Sequence, residues 1–489
     1  MADWANLLEE TDVAIAKEVD KIHITEDSNK SEEPTPPAPA AAAVAAAAVA
    51  TENTPENPSE DPEKLKAENS FFTKVLRSQL VESKTEVEIQ QRDPNSPLYS
   101  VKTFEELKLK TSLLEGVYGM GFNKPSKIQE TALPMLMCDP PQNMIAQSQS
   151  GTGKTAAFVL ATLSRIDEAA KYPQALILAP TYELALQIGE VLQRMASRTE
   201  IVVEHAIRGK RYARGTRIGA HIIVGTPGTT VDWVFKLKFF DPRQLRVFVL
   251  DEADVMVSQQ GHQEQSIRIK KTLDPRCQCL LFSATYEEDV MRFAQTVIPD
   301  PILIKLKREE QSLDTIKQFY VMCNNESEKY ESLCNIYGTI TIGQTMIFCK
   351  MKTTATWLLK KMAEDGHAVA MLTSDISIED RLVTLNRFRE GREKVLITTN
   401  VCARGIDIEQ VTVVINFDLP IVHGSGTPDM ETYLHRIGRT GRFGKKGIAI
   451  NFVDNAETLR MIKQIQNYFN KEIVKLNTDD SDEIEGLVC

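Results

Sequence analysis

Short, uniformly apolar runs recur along this chain at the spacing of strands that alternate with helices, and they fall into two series. The first comprises NMIAQ, QALILAP, HIIVGTP, VFVLDEA and CLLFSAT. Runs as continuously apolar as Leu176 to Leu178 and Val247 to Leu250 suit strands buried on both faces, which parallel sheets covered by helices require. The second series begins near Lys317 with IKQFYVMC and continues through TMIFCK, HAVAMLT, KVLITTN, TVVINFD and GIAINFV. Each run is followed by a helix-like segment, so two doubly wound α/β domains are expected, joined around Pro299 to Thr315. The length agrees, because 489 residues exceed what one ordinary core accommodates.

The segment ahead of these series is different. Residues 1–100 carry nine Lys+Arg against twenty Asp+Glu, which is the whole net charge of −11 and leaves 48 of each sign for residues 101–489. From Ser31 to Pro62 the composition is Pro, Ala, Glu, Thr and Asn without an aromatic residue, too little apolar surface to fold, so a largely disordered acidic extension is expected. Asp61-Pro62 reads as a helix start, and Leu65, Phe72, Val75, Leu76 and Leu80 form an apolar stripe. Such a helix is too short to stand alone and must pack on something. The acidic amino terminus lacks the basic and apolar regions of a secretory signal, and the Ala/Val run from Ala40 to Ala50 is too short to cross a bilayer. Eight cysteines without CxxC spacing suit buried free thiols of a soluble intracellular protein better than a disulfide frame or a zinc site.

Four local patterns carry chemistry. SQSGTGKT follows NMIAQ and precedes AAFVLATL, the strand–loop–helix setting of a phosphate-binding loop. In it Ser148, Gln149, Ser150, Gly151, Thr152 and Gly153 would wrap phosphates with backbone N–H groups, Lys154 would reach the β and γ phosphates, and the Thr155 hydroxyl would hold Mg²⁺. Asp251 and Glu252 end the run VFVL, where Asp251 would share the Mg²⁺ and Glu252 would orient and deprotonate the attacking water. Gln129, with Phe122 nearby in GFNKPSKIQ, offers a carboxamide that matches the N6 and N7 edge of adenine, so ATP is the expected nucleotide. Arginines in HRIGRTGR lie nearly two hundred residues further on and can neutralise phosphate charge only if two domains close on one nucleotide. A GTPase or small-molecule kinase has no use for that second domain.

These patterns occur in a fixed order with PTYELA (Pro180 to Ala185), Arg208-Gly209, TPGT (Thr226 to Thr229), SAT (Ser283 to Thr285), MIFC and TTNVCARGID (Thr398 to Asp407). Taken together the chain resembles the DEAD-box RNA helicases over roughly residues 100–470. The resemblance implies two tandem RecA-like domains, at 101–308 and 309–476, flanked by an acidic extension at 1–60, a regulatory helix and linker at 61–100, and an acidic tail at 477–489. It implies that Pro180, Thr181, Arg208, Gly209, Thr226, Gly228 and Thr229 meet the RNA backbone on the first domain, with Thr398 and Arg404 on the second. Asp407 would meet the ATP ribose, Arg439 and Arg442 would act on the γ phosphate, and Asp254, Ser283 and Thr285 would couple closure to RNA binding. Contacts to backbone and 2′-hydroxyls make sequence-independent binding the expectation.

Within the family, Tyr182 where Arg is usual, Ser148 where Ala is usual, and the long loop from Ile421 to Glu431 resemble the branch serving mRNA export at the cytoplasmic face of the nuclear pore. That likeness implies a monomer of cytoplasm and nucleus without membrane insertion, an export activator carrying inositol hexakisphosphate on the second domain, and a β-propeller nucleoporin on the first. It also favours the 62–80 helix as an autoinhibitory wedge over a structural brace. An ATP-dependent RNA clamp or scaffold in another RNA process, such as translation, is the alternative.

Overall fold

The computed structural model describes residues 100–147, 153–285, 287–306, 315–340, 343–399, 408, 410–422, 424–441 and 446–487, with the backbone of a strand at Val87–Gln90. The acidic extension and the helix expected at 62–80 lie outside the described residues.

Every apolar run of the two series forms a strand, and the strands make two sheets. The first contains β1 (Val87–Gln90), β2 (Met144–Gln147), β3 (Ala175–Leu178), β4 (Val203–Ala206), β5 (Ile222–Gly225), β6 (Val247–Leu250), β7 (Gln278–Ser283) and β8 (Ile302–Leu306). Their order is β1-β8-β2-β7-β6-β3-β5-β4, with β1 antiparallel to β8 and the other seven parallel. The second contains β9 (Ile316–Met322), β10 (Gln344–Phe348), β11 (Val369–Leu372), β12 (Val395–Thr398), β13 (Val411–Asn416), β14 (Gly447–Val453) and β15 (Val474–Lys475). These run parallel in the order β11-β12-β10-β13-β14-β9-β15.

Alternate residues of each central strand enter opposite cores, the period of two that a sheet covered on both faces demands. In the first domain Ala175, Ile177, Val247 and Val249 pack on one side while Leu176, Leu178, Phe248 and Leu250 pack on the other. In the second, Met346, Phe348, Leu396 and Val414 oppose Ile347, Ile397, Val413 and Ile415.

Four strands, β1, β4, β8 and β15, and the packing of the carboxyl terminus depart from the expected organisation. Residues 299–315, read as the joint, include β8, which pairs with β2 over Ile302–Ile304 and with β1 as far as Leu306, so the first sheet continues to Leu306. Residues 87–90, read as linker, add a strand to that sheet's edge. The strand β4 escaped notice because Glu204 and His205 break its apolar character, as an edge strand allows. The acidic tail is a packed element: in the helix Ser481–Glu485 and just beyond it, Ile484 and Leu487 are buried in the second core, and Thr478 Oγ1 bonds Ser332 Oγ at 3.0 Å. Two apolar residues anchor that segment despite its charge.

The six described cysteines are free thiols, four of them buried. No helix among the described residues is long and apolar enough to cross a membrane.

Candidate nucleotide and RNA site

The loops after β3, β5, β6 and β7 gather at the carboxyl edge of the first sheet, where open α/β sheets bind ligands. Ser148, Gln149, Ser150, Gly151 and Thr152 lie outside the described residues, as do Arg404, Asp407 and Arg442. Gly153 caps the helix Lys154–Ser164 at φ +99°, a left-handed conformation that glycine adopts without strain. A Cβ at this position would stand 2.6 Å from Gln129 Nε2 and 2.9 Å from Ser126 Oγ. Both glycine properties, the turn and the bare Cα, are needed here.

Gln129 is buried, and its carboxamide is already engaged at both ends. Oε1 accepts from Ser126 N at 3.0 Å, and Nε2 donates to Gly153 O at 3.0 Å. The first bond closes a capping box at the start of the helix Lys127–Met137, and the second ties that helix to the phosphate loop. One N–H and one lone pair remain for a base, so Gln129 can read adenine and hold the loop at once. Phe122 is partly buried against the first core.

Lys154 is buried beside Asp251 and Glu252 at the end of β6. Glu252 N donates to Asp251 Oδ1 at 3.0 Å, and Glu252 itself sits at φ +48°, a strained conformation for a residue with a side chain. Its Oε2 is buried with no hydrogen-bond partner among the described residues. Burial raises the Asp251 carboxyl to about 7; Lys154 opposes the rise, while Glu252 and Asp254 add to it. A buried acidic pair of this kind is a hard oxygen set suited to Mg²⁺.

That raised value has a consequence for stability. Between the unfolded carboxylate value and about 7 the folded chain keeps a proton that the unfolded chain releases, so the contribution of Asp251 falls as pH rises through this window and stays reduced above it. Asp251→Asn should therefore stabilise the nucleotide-free protein more at pH 8 than at pH 5, by on the order of a few kcal/mol at the higher pH. Thermal melts at the two pH values check this, and equal shifts at both would sink it.

Asp254 is the meeting point of the two domains. Its backbone N donates to Ser283 Oγ at 3.3 Å, and its Oδ2 accepts from Thr285 Oγ1 at 3.4 Å and lies 3.0 Å from His435 Nε2. Asp254 and His435 are both buried, and Glu431 Oε1 lies 3.7 Å from the same ring nitrogen. One turn beyond, Arg439 is buried and donates through Nε to His435 O at 2.9 Å. Arg436 is structural: its Nη1 donates to Asn416 Oδ1 and Asp418 O, and it stacks over Phe348. A second contact between the domains joins Glu183 to Arg381 at 3.0 Å, with Glu190 and Arg389 at 3.9 Å beside it. Tyr182 is partly buried there, and burial, with Glu379 and Glu183 nearby, raises its phenol. His435 and Arg381 were not among the expected site residues. The four-residue spacing of Glu431 and His435 on the helix Met430–Ile437 was the signal for the first; nothing local marks Arg381.

The expected RNA residues divide. Arg208 and Gly209 are exposed, the latter at φ +95°. Thr181 Oγ1 caps the helix Tyr182–Met195 by accepting from Leu184 N at 3.3 Å, whereas Thr226, at the head of the helix Pro227–Val231, donates its hydroxyl to Thr229 Oγ1 at 3.5 Å. Pro180 is buried, and Thr398 is fully buried with its hydroxyl donated to Thr399 O at 3.0 Å, so these two shape the surface from beneath.

Residues 126–293 match the family described as DEAD/DEAH box helicase, and residues 328–444 match the helicase conserved C-terminal domain. The chain is 60% identical over 435 residues to a Bos taurus protein named ATP-dependent RNA helicase DDX19A, covering 89% of this chain and 91% of that one. Among solved structures it is similar to S. cerevisiae Dbp5 bound to RNA and ADP BeF3, at 47% identity and TM-score 0.75, covering 79% of this chain and 99% of that one. It is also similar to a variant of S. cerevisiae Dbp5 bound to Nup159, Gle1, IP6 and ADP, at 45% identity and TM-score 0.61, covering 78% and 98%.

Proposed function

Because the chain belongs to the DEAD-box family of ATP-dependent RNA helicases, we propose that it clamps RNA through domain closure on ATP and remodels RNA–protein complexes during mRNA export at the nuclear pore. The observation that carries the clamp is the buried His435–Asp254 contact, which links a catalytic-edge residue of one domain to the arginine segment of the other. The relatives' complexes with RNA, and with Gle1, IP6 and Nup159, support the export assignment.

In this reading Lys154 neutralises the β and γ phosphates, and Gln129 holds adenine while tethering the phosphate loop. Thr155 and Asp251 would hold Mg²⁺, which supplies charge neutralisation at the phosphates. Glu252 Oε2 takes the proton of the attacking water, consistent with its unpartnered, buried position. Arg439 and Arg442 stabilise negative charge on the transferred phosphoryl group, and they do so only when the domains are closed. Thr181, Arg208, Gly209, Thr226, Gly228 and Thr229 meet phosphates and 2′-hydroxyls, so RNA is bound without regard to base sequence.

The proposed partners are RNA, an activator carrying inositol hexakisphosphate on the second domain, and a β-propeller nucleoporin on the first. The test is steady-state ATPase activity with RNA, with single-stranded DNA, and with RNA plus Gle1 and IP6. Stimulation by RNA over DNA, with a further rise from Gle1 and IP6, is expected. Stimulation by RNA alone would leave a helicase of another RNA process, and a hundredfold preference for one short RNA over another would remove the sequence-independent clamp.

A further inference from the structure

The segment that carries Arg439 is fastened at two points. Thr440, buried, donates its hydroxyl to the carbonyls of Val411 and Thr412 at 3.0 and 2.8 Å, pinning the segment to the start of β13. Gly441, the next residue, is held by Thr315: the Thr315 hydroxyl donates to Gly441 O at 2.9 Å, and Thr315 O accepts from Gly447 N at 2.8 Å. Thr315 immediately precedes β9, in register with the start of β14. It is also the first described residue after β8, where the connection from the first domain arrives.

The packing around this hydroxyl leaves no slack. Gly441 adopts φ +67°, and a Cβ on it would stand 2.5 Å from Ile316 Cγ1 and 2.9 Å from Thr315 Oγ1. A Cβ on Gly447 would stand 2.5 Å from Gly441 N. The backbone at Gly441 is therefore clamped between the residue ending the inter-domain connection and the first residue of β14. Thr315 takes no part in the hydrolytic steps above and is not one of the sequence motifs.

We propose that Thr315 is a positioning residue for ATP hydrolysis: by holding the Gly441 carbonyl it fixes the backbone that presents Arg439 to the phosphates. The inference rests on the proposed role of Arg439. Phosphoryl transfer depends on placement, and a charge misplaced by about 1 Å can cost about 10²-fold in rate. Loss of one hydrogen bond permits a smaller excursion, worth about three- to tenfold.

The experiment uses the full chain with saturating RNA and compares Thr315→Val, Thr315→Ser and Arg439→Ala. Valine keeps the shape and β-branching of threonine but removes the donor. It should lower kcat by about three- to tenfold while leaving KM for ATP and RNA affinity within about twofold. Serine, which restores the donor, should return kcat to the parent value, and the melting temperature of both variants should stay within about 2 °C. A Val variant with parental kcat, or a loss that Ser does not restore, overturns the inference. Arg439→Ala separates the premises: if it hydrolyses like the parent, the role of Arg439 fails and this inference with it. If Arg439→Ala is inactive while Thr315→Val matches the parent, only the inference fails.

Discussion

Glu252→Gln should reduce RNA-stimulated turnover by about 10²- to 10³-fold, the range expected when a positioned general base is lost. The substitution keeps the side-chain shape at a position whose backbone is already committed to φ +48°. It removes a negative charge beside Asp251, so the carboxyl that burial and this neighbour hold near 7 should ionise more readily. ATP and RNA binding should therefore persist or strengthen, and the variant should accumulate as a long-lived ternary complex. Single-turnover hydrolysis and RNA dissociation rates measured on the same preparation check both halves. A turnover within threefold of the parent would reassign the base.

The second large effect is expected at the contact between the domains. His435→Ala removes the 3.0 Å partner of a fully buried Asp254 carboxylate oxygen. Breaking a buried pair from one side costs about 3–5 kcal/mol, because the remaining group stays desolvated. That penalty falls on the closed arrangement alone, since only there do the two residues meet. A penalty of that size lowers the closed population by about 10²- to 10³-fold, and nucleotide-dependent RNA binding should weaken by a similar factor. RNA-stimulated ATPase activity should fall toward the basal rate, while nucleotide affinity of the first domain changes little, its pocket being untouched. Fluorescence anisotropy of labelled RNA with ADP and beryllium fluoride reads the first effect, and a fluorescent ADP analogue reads the second. Unchanged RNA affinity would mean that the His435–Asp254 contact does not hold the clamp.

What the sequence determined by itself was everything that local pattern controls. Strands such as Ala175–Leu178 and Val247–Leu250 are apolar at every position because both faces are covered, and a run of that kind is legible without neighbours. The placement of Lys154 at the start of a helix and of Asp251 and Glu252 just past the end of a strand was legible for a similar reason, since both are short-range arrangements. The strands β4 and β8 were less so: β4 is an edge strand with Glu204 and His205 in it, and β8 lies where a joint was expected. The packing of Ile484 and Leu487 was hidden by the acidic residues around them.

Only the tertiary structure decided how far-separated groups pair. The second and third roles of Gln129, as cap and as tether to Gly153, need the geometry of a helix start against a loop 24 residues away. Asp254 with His435, Glu183 with Arg381, and Thr315 with Gly441 join residues 181, 198 and 126 positions apart. No periodicity or spacing encodes such pairs, because a hydrogen bond or ion pair has a range of a few ångströms while the chain between its partners can take any path that closes the loop. Sequence thus supplied the chemical groups and the sheets that carry them, and the fold chose which buried donor faces which buried acceptor.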